Sequence, residues 1–237
     1  MNIELTDEQK IDIAIDHFKN TTDEKLFQFL SGDDDVLKQI ALLKLESINS
    51  EEQADLIVHT LVNHPSETRE YCSFLINRLL KQDEYKKYFS SEKSYTNIER
   101  AVFDVNPKVC RKIIEVLPYF SQLEKLYPQM IKNSFDLIEL LREKNKNKNY
   151  LYNKKSFHLY WHIFALGYTL TQDLFIENKA QLIALLNELL SFKEYTLREK
   201  GAYLTNELLK FDSSPKMQEL LRNYTNDENF YVKEIFD

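Results

Sequence analysis

Two stretches of this chain, 129 residues apart, can be laid on each other without a gap. PSETREYCSFLINRLLK, from Pro65 to Lys81, and EYTLREKGAYLTNELLK, from Glu194 to Lys210, agree at seven positions in one register. The pairs are Arg69/Arg198, Glu70/Glu199, Leu75/Leu204, Asn77/Asn206, Leu79/Leu208, Leu80/Leu209 and Lys81/Lys210. Seven coincidences predict two copies of one structural unit. That unit can be read in full around the first copy. Ser50 stands three residues before Gln53, a capping box, and Ala54, Ile57, Val58 and Leu61 follow at helical spacing. Asn63-His64-Pro65 stops that helix, because the residue before a proline is pushed out of the α region. Pro65, at the first position of the next helix, gives up only a donor that would be orphaned there. Cys72, Leu75, Ile76 and Leu79 then form the inward stripe of a second helix. A connection this short joins two antiparallel helices.

The opening of the second helix recurs as a short polar turn, a β-branched or apolar residue and a cation, at Lys38, Arg69, Arg111, Arg198 and Lys233. These positions stand 31, 42, 87 and 35 residues apart, and the double-length gap implies one further start near Lys155. A period near 40 with two helices per unit is the range of HEAT and armadillo arrays. A single hairpin cannot cover its own apolar face, so about six of them should stack side by side in an all-α chain. Composition closes the alternatives. With three glycines, five prolines and no Asn-Gly or Asp-Gly turn, an all-β or doubly wound fold is not expected.

Along the chain, Thr6 with Gln9 predicts a first helix carrying Ile11, Ile15 and Phe18. Thr21 with Glu24 predicts a second, short one carrying Leu26, Phe27 and Leu30 and ended by Ser31-Gly32. Asp33 to Asp35 sit at the start of a helix from Val36 to Ile48, apolar on most sides and therefore expected in the buried or inner layer. Gln82 to Thr96 reads as a loop around a short helix, and Asn97 to Val105 as a helix. Asn106-Pro107 opens the next one, which Pro118 closes. Pro128 should kink or split a helix from Ser121 to Lys144. Further helices are expected at Phe157 to Leu170, Leu174 to Phe192, Leu197 to Phe211, from Ser214-Pro215, and from Asn229 to Phe236. KNKNKNYLYNKK, Lys144 to Lys155, cannot bury surface and reads as an exposed linker or seam in an otherwise single domain spanning 1–237.

The openings DDDVLKQIALLKL, PSETREYCSFLI, NPKVCRKIIEVL, YTLREKGAYLTNEL and DENFYVKEIF resemble the second-helix signature of the HEAT-repeat (armadillo-like) α-solenoid family. The resemblance implies a right-handed superhelical stack whose second helices line a concave face. It also implies that Asp34, Lys38, Arg69, Arg111, Arg198 and Lys233 form a structural ladder between repeats. The signature is lost between Lys144 and Ser156.

For function, the net charge of −7 and pI near 5.4 oppose a general grip on phosphate backbones. The longest nearly apolar run, Tyr160 to Leu166, is too short to span a bilayer, and the N-terminus lacks a basic-then-apolar pattern, so a cytoplasmic protein with no membrane contact is expected. Cys72 and Cys110 fall on apolar helix faces, as buried free thiols do. His158 and His162 have the i, i+4 spacing at which two imidazoles reach one metal, but HLYWH lacks the glutamate of a zincin motif and no third ligand is near; no metal or cofactor is expected. Phe157, Trp161, Phe164 and Tyr168 are expected as core, leaving Tyr150 and Tyr152 in the linker. The carboxylates of Asp33 to Asp35 and Glu51-Glu52 sit where helices start. With no catalytic motif, the reading is a non-enzymatic scaffold that binds a protein partner along the concave face. Candidate contacts are Tyr150, Tyr152, His158, Trp161 and His162. The alternatives are a DNA-binding protein like the HEAT-like alkylpurine DNA glycosylases, suggested by Trp161, Tyr160 and the lysines of 144–155, and an inhibitor or immunity-type protein for a basic partner.

Overall fold

A computed structural model describes residues 19, 21–143 and 149–236, Asn149 by its backbone alone. The helix expected from Thr6 to Phe18 and residues 144–148 lie outside the described residues. Among the described residues thirteen helices occur in order: α1 Asp23–Ser31, α2 Asp35–Lys44, α3 Glu51–Asn63, α4 Ser66–Leu80, α5 Asp83–Lys86, α6 Glu92–Ala101, α7 Pro107–Ile114, α8 Leu123–Arg142, α9 Asn149–Tyr168, α10 Gln172–Leu190, α11 Tyr195–Leu209, α12 Pro215–Thr225 and α13 Phe230–Lys233. Short 3-10 turns follow α5, α7 and α13.

Six hairpins account for the architecture: α1/α2, α3/α4, α6/α7, α8/α9, α10/α11 and α12/α13. The second helices α2, α4, α7, α9, α11 and α13 pack in series as one layer. Behind them, α1, α3 and α6 form one run of the first-helix layer and α8, α10 and α12 another. Between the two runs, side chains make the link: Asn133 donates to Glu99 at 2.9 Å, Gln122 to the Ser90 carbonyl at 3.1 Å, and Lys125 pairs with Glu92 at 2.9 Å. Each described hairpin buries its stripe against the next, as Ala54, Ile57, Val58, Leu61, Cys72, Leu75, Ile76 and Leu79 do in the third and fourth helices.

The caps show why the elements start where they do. Ser50 Oγ accepts from Gln53 N at 3.3 Å, and the Gln53 amide reaches back to Asn49 N at 2.8 Å, one residue before the usual target of a capping box. Asn106 accepts from Lys108 N at 2.9 Å. Pro65 is itself the cap of α4, so the helix starts at Ser66, one residue later than expected.

Four expectations change. The cap of α1 is Thr22 rather than Thr21. α6 starts at Glu92, not Asn97, because Ser91 accepts from Ser94 N at 2.9 Å while its hydroxyl donates to Asp55. α8 carries Pro128 inside one uninterrupted helix instead of splitting. α2 ends at Lys44 and, although it stands in the second-helix layer, is not buried on most sides: Val36 and Leu43 are 64% and 54% exposed, and only Lys38, Ala41 and Leu42 are buried.

Two glycines mark close approach between helices. A Cβ on Gly201 of α11 would collide with the Tyr224 hydroxyl, which donates to the Leu186 carbonyl at 2.9 Å. A Cβ on Gly167 would lie 2.5 Å from the Tyr203 ring. Gly201→Ala should therefore destabilise the fold by about 2–4 kcal/mol through overpacking and loss of the Tyr224 bond. Urea titration followed by circular dichroism checks this; an unchanged midpoint would show that Tyr224 can move aside.

Candidate functional site

The repeat register places one job at one position. In α2, α4, α7 and α11 the residue four after the cap donates back to a carbonyl of the turn before it. Lys38 donates to Leu30 O at 2.9 Å and to Gly32 O, Arg69 to His64 O at 2.6 Å, and Arg198 to Phe192 O and Lys193 O, both at 2.8 Å. In α7 that position is Cys110, whose thiol donates to Asp104 O at 2.9 Å. Arg111, assigned to the ladder from sequence, is one residue late and exposed, since a one-residue slip rotates a side chain by about 100° on a helix. Asp34 is likewise not a receiver: it caps α2 by accepting from Val36 N and Leu37 N, and its neighbour Asp35 meets His64 at 3.3 Å. Lys233 is exposed on α13.

The receivers are aspartates the ladder did not include. Arg69 clamps Asp104 through Nε and Nη2 at 2.7 and 2.8 Å, and Arg198 clamps Asp227 in the same way at 2.7 and 3.0 Å. Each aspartate also accepts from the backbone N–H two residues on, Asn106 and Asn229, at 2.8 Å. Asp-x-Asn before a helix was the readable signal. Asp212 repeats half of the pattern, accepting from Ser214 N at 3.0 Å and pairing with Lys179 at 2.8 Å. These clips hold the second-helix layer in register.

The five candidate contact residues do not form one surface. Residues 149–155, expected in a linker, are the first turns of α9, and Tyr152 packs on the core edge. Tyr150 is 74% exposed and stands apart. Tyr152 and Trp161 line a cleft of about 490 Å³ with Asn153, Ser156, Phe157 and Tyr160 of α9 and Glu194 and Thr196 at the start of α11. Phe157, Trp161 and Phe164 are half-buried and Tyr168 is exposed, so the core role expected for them gives way to an aromatic face. Glu194 caps α11 without using its carboxylate on the helix, which leaves it to accept the Tyr152 hydroxyl. Burial and that carboxylate push Tyr152 up to about 12. The Trp161 indole Nε1 is buried with no acceptor from the protein.

His158 and His162 lie on another side of α9. Both rings pack on Phe103, with centroids at 5.2 and 5.0 Å, and line a separate cavity of about 270 Å³ with Asn133, Asp136, Leu137 and Leu140. His162 is 2% exposed, and neither ring nitrogen has a protein partner. Its burial, with His158 beside it, pulls it down to about 3. His158 is lowered by burial and Lys154 against the opposing pull of Asp104. Among the described residues no three His, Cys, Asp or Glu side chains are placed to hold a metal.

Cys72 and Cys110 are free and buried, and burial pushes both thiols well above their usual range, which keeps them protonated. No described helix is long and apolar enough to cross a membrane.

The hairpin stack and its register-locked clips settle the architecture. The fold is an armadillo- and HEAT-like helical repeat. No protein-family model matches the chain, and no curated protein matches it. Among solved structures, the designed armadillo repeat protein YIII(Dq)4CqI is 13% identical over 89% of this chain and 95% of its own, with a TM-score of 0.48. The designed armadillo repeat protein YIII(Dq.V1)4CPAF in complex with peptide (KR)4 is 14% identical at the same coverage and score. An engineered protein is 10% identical over 95% of this chain and 93% of its own, at 0.41.

Proposed function

We propose that this chain is a non-enzymatic interaction module, acting as a single unit in a reducing, cytoplasmic setting. It takes a segment of a protein partner on its second-helix layer and anchors it in the cleft between α9 and α11. One observation carries the reading: Trp161, half-buried, lines the cleft together with Tyr152, Phe157 and Tyr160. Half-buried aromatic anchors beside a pocket are where binding energy concentrates. Tyr195, Phe230 and Tyr231 extend the exposed aromatic strip toward the C-terminal hairpin, Tyr195 and Tyr231 stacking at 5.9 Å. The free buried thiols support the compartment.

The nucleic-acid reading has less behind it. The charged liner of the aromatic cleft is a carboxylate, Glu194, which repels phosphate, and the lysines of 144–148 lie outside the described residues.

Trp161 is the chain's one tryptophan, so its emission reports this cleft alone. Peptides selected from a displayed random library against the protein should shift that emission on titration. Trp161→Ala should weaken them by about 30-fold, the effect of a hot-spot residue, with helicity unchanged. Selected peptides that leave the emission untouched and bind the Trp161→Ala variant equally well would refute the assignment of the cleft.

A further inference from the structure

We propose that the group anchored in the α9/α11 cleft is a quaternary ammonium, the trimethylated side chain of a lysine in the partner segment. This rests on the cleft being the anchor for a partner. The walls are aromatic: Tyr152, Phe157, Tyr160 and Trp161. The Trp161 ring meets Phe157 at 74° with centroids 5.9 Å apart and Tyr160 at 81° and 5.4 Å, so neighbouring walls stand nearly at right angles. Rings arranged this way offer electron-rich faces to one cation from more than one side. Glu194 supplies the formal negative charge, and the chain as a whole carries −7.

Hydrogen-bond accounting selects the kind of cation. An unmodified lysine brings three N–H donors and an arginine five, and each needs an acceptor once it leaves water. Here Glu194 already accepts the Tyr152 hydroxyl, and Ser156 Oγ, buried without a partner, is one acceptor against three or five donors. A trimethylammonium has no N–H to satisfy and is weakly hydrated, so it loses least on entry.

The aromatic face already holds one ammonium on its other side. Lys200 Nζ lies 4.9 Å from the Tyr160 ring centroid and 5.8 Å from those of Phe164 and Tyr203, with Glu199 at 2.8 Å to balance it. Lys200 is 9% exposed, so that half is filled, whereas the half walled by Tyr152, Phe157 and Trp161 opens to the cleft.

The test titrates the full chain with a short acetylated, amidated peptide carrying trimethyllysine and follows Trp161 emission at constant ionic strength. Its controls carry unmodified lysine or the uncharged 3,3-dimethylbutyl isostere at the same position. The trimethyllysine peptide should bind at least 10-fold more tightly than either control, and Glu194→Gln, which keeps the shape, should weaken it at least 5-fold. Equal binding of the uncharged isostere, or binding of phosphatidylcholine vesicles as strong as that of the peptide, would overturn the proposal. If library-selected peptides shift Trp161 emission while the trimethyllysine peptide does not, the ammonium assignment fails and the partner-binding reading stands. If neither does, both fail.

Discussion

Replacing Arg198 by alanine is expected to cost about 3–5 kcal/mol of stability, because it leaves the carboxylate of Asp227 buried without its charge partner. The pair is almost fully withdrawn from water, with side-chain exposures of 8% and 7%, and it is bidentate. The hydrogen bond to Arg198 holds the Asp227 carboxyl below the ordinary carboxylate range, and the same bond raises Arg198. The guanidinium also closes the preceding turn through Phe192 O and Lys193 O, so alanine orphans two carbonyls as well. Arg198→Lys keeps the charge but cannot make the fork, and should fall between wild type and alanine. A loss of this size lowers the melting temperature of a chain this long by roughly 6–20 °C. A double-mutant cycle with Asp227→Asn isolates the coupling, and additive single effects would show that the clip contributes little. Arg69 and Asp104, at 13% and 10% exposure, should behave alike.

The second large effect is acid lability centred on His162. Its unfolded-state value is the ordinary 6.5, and burial with His158 nearby pulls the folded value to about 3. The unfolded chain therefore binds the proton first as pH falls. The contribution of His162 to stability is complete above about pH 6.5, is lost progressively below it, and stops changing below about pH 3. At pH 4 the loss amounts to about 3 kcal/mol at a scale of about 1.4 kcal/mol per pKa unit. Carboxylates also titrate in this range, so the comparison must be with a variant. His162→Leu removes the titrating group and its two unpartnered nitrogens, and should be near neutral at pH 7.5. Relative to wild type it should gain about 3 kcal/mol between pH 7.5 and pH 4. Urea midpoints measured across that range decide it, and a difference that stays flat with pH would mean that His162 is solvated or bonded in the fold.

Much of this architecture was legible in the residues because hairpin repeats are built from local signals. Ser50 with Gln53, Asn106 with Pro107, and the stripe from Ala54 to Leu61 act within one or two turns, and each appears where the spacing places it. The Arg69/Arg198 register also carried through to identical clips. What the residues hid was set by partners far along the chain. Asp104 falls inside the helix expected from Asn97 to Val105 and Asp227 just before the one expected from Asn229, and only the stacking of the next repeat makes them receivers. Arg111 drew attention because it is a cation, whereas the working position, Cys110, reads as an apolar core residue. The first turns of α9 were hidden because a run of Lys and Asn has little preference of its own; Tyr152 joins the core edge and meets Glu194, more than 40 residues downstream. The cleft itself arises only when α9 and α11 lie side by side, which also explains why Trp161 and Phe157 look like core on one helix but line a surface in the fold.

Hydrogen–deuterium exchange of the full chain, with and without the tightest library-selected peptide, tests the central claim most directly. Binding along the second-helix layer predicts protection confined to the first turns of α9, to residues 194–200 at the start of α11, and to the flanking second helices. Protection confined to α3, α6, α8 and α10 of the first-helix layer would contradict it.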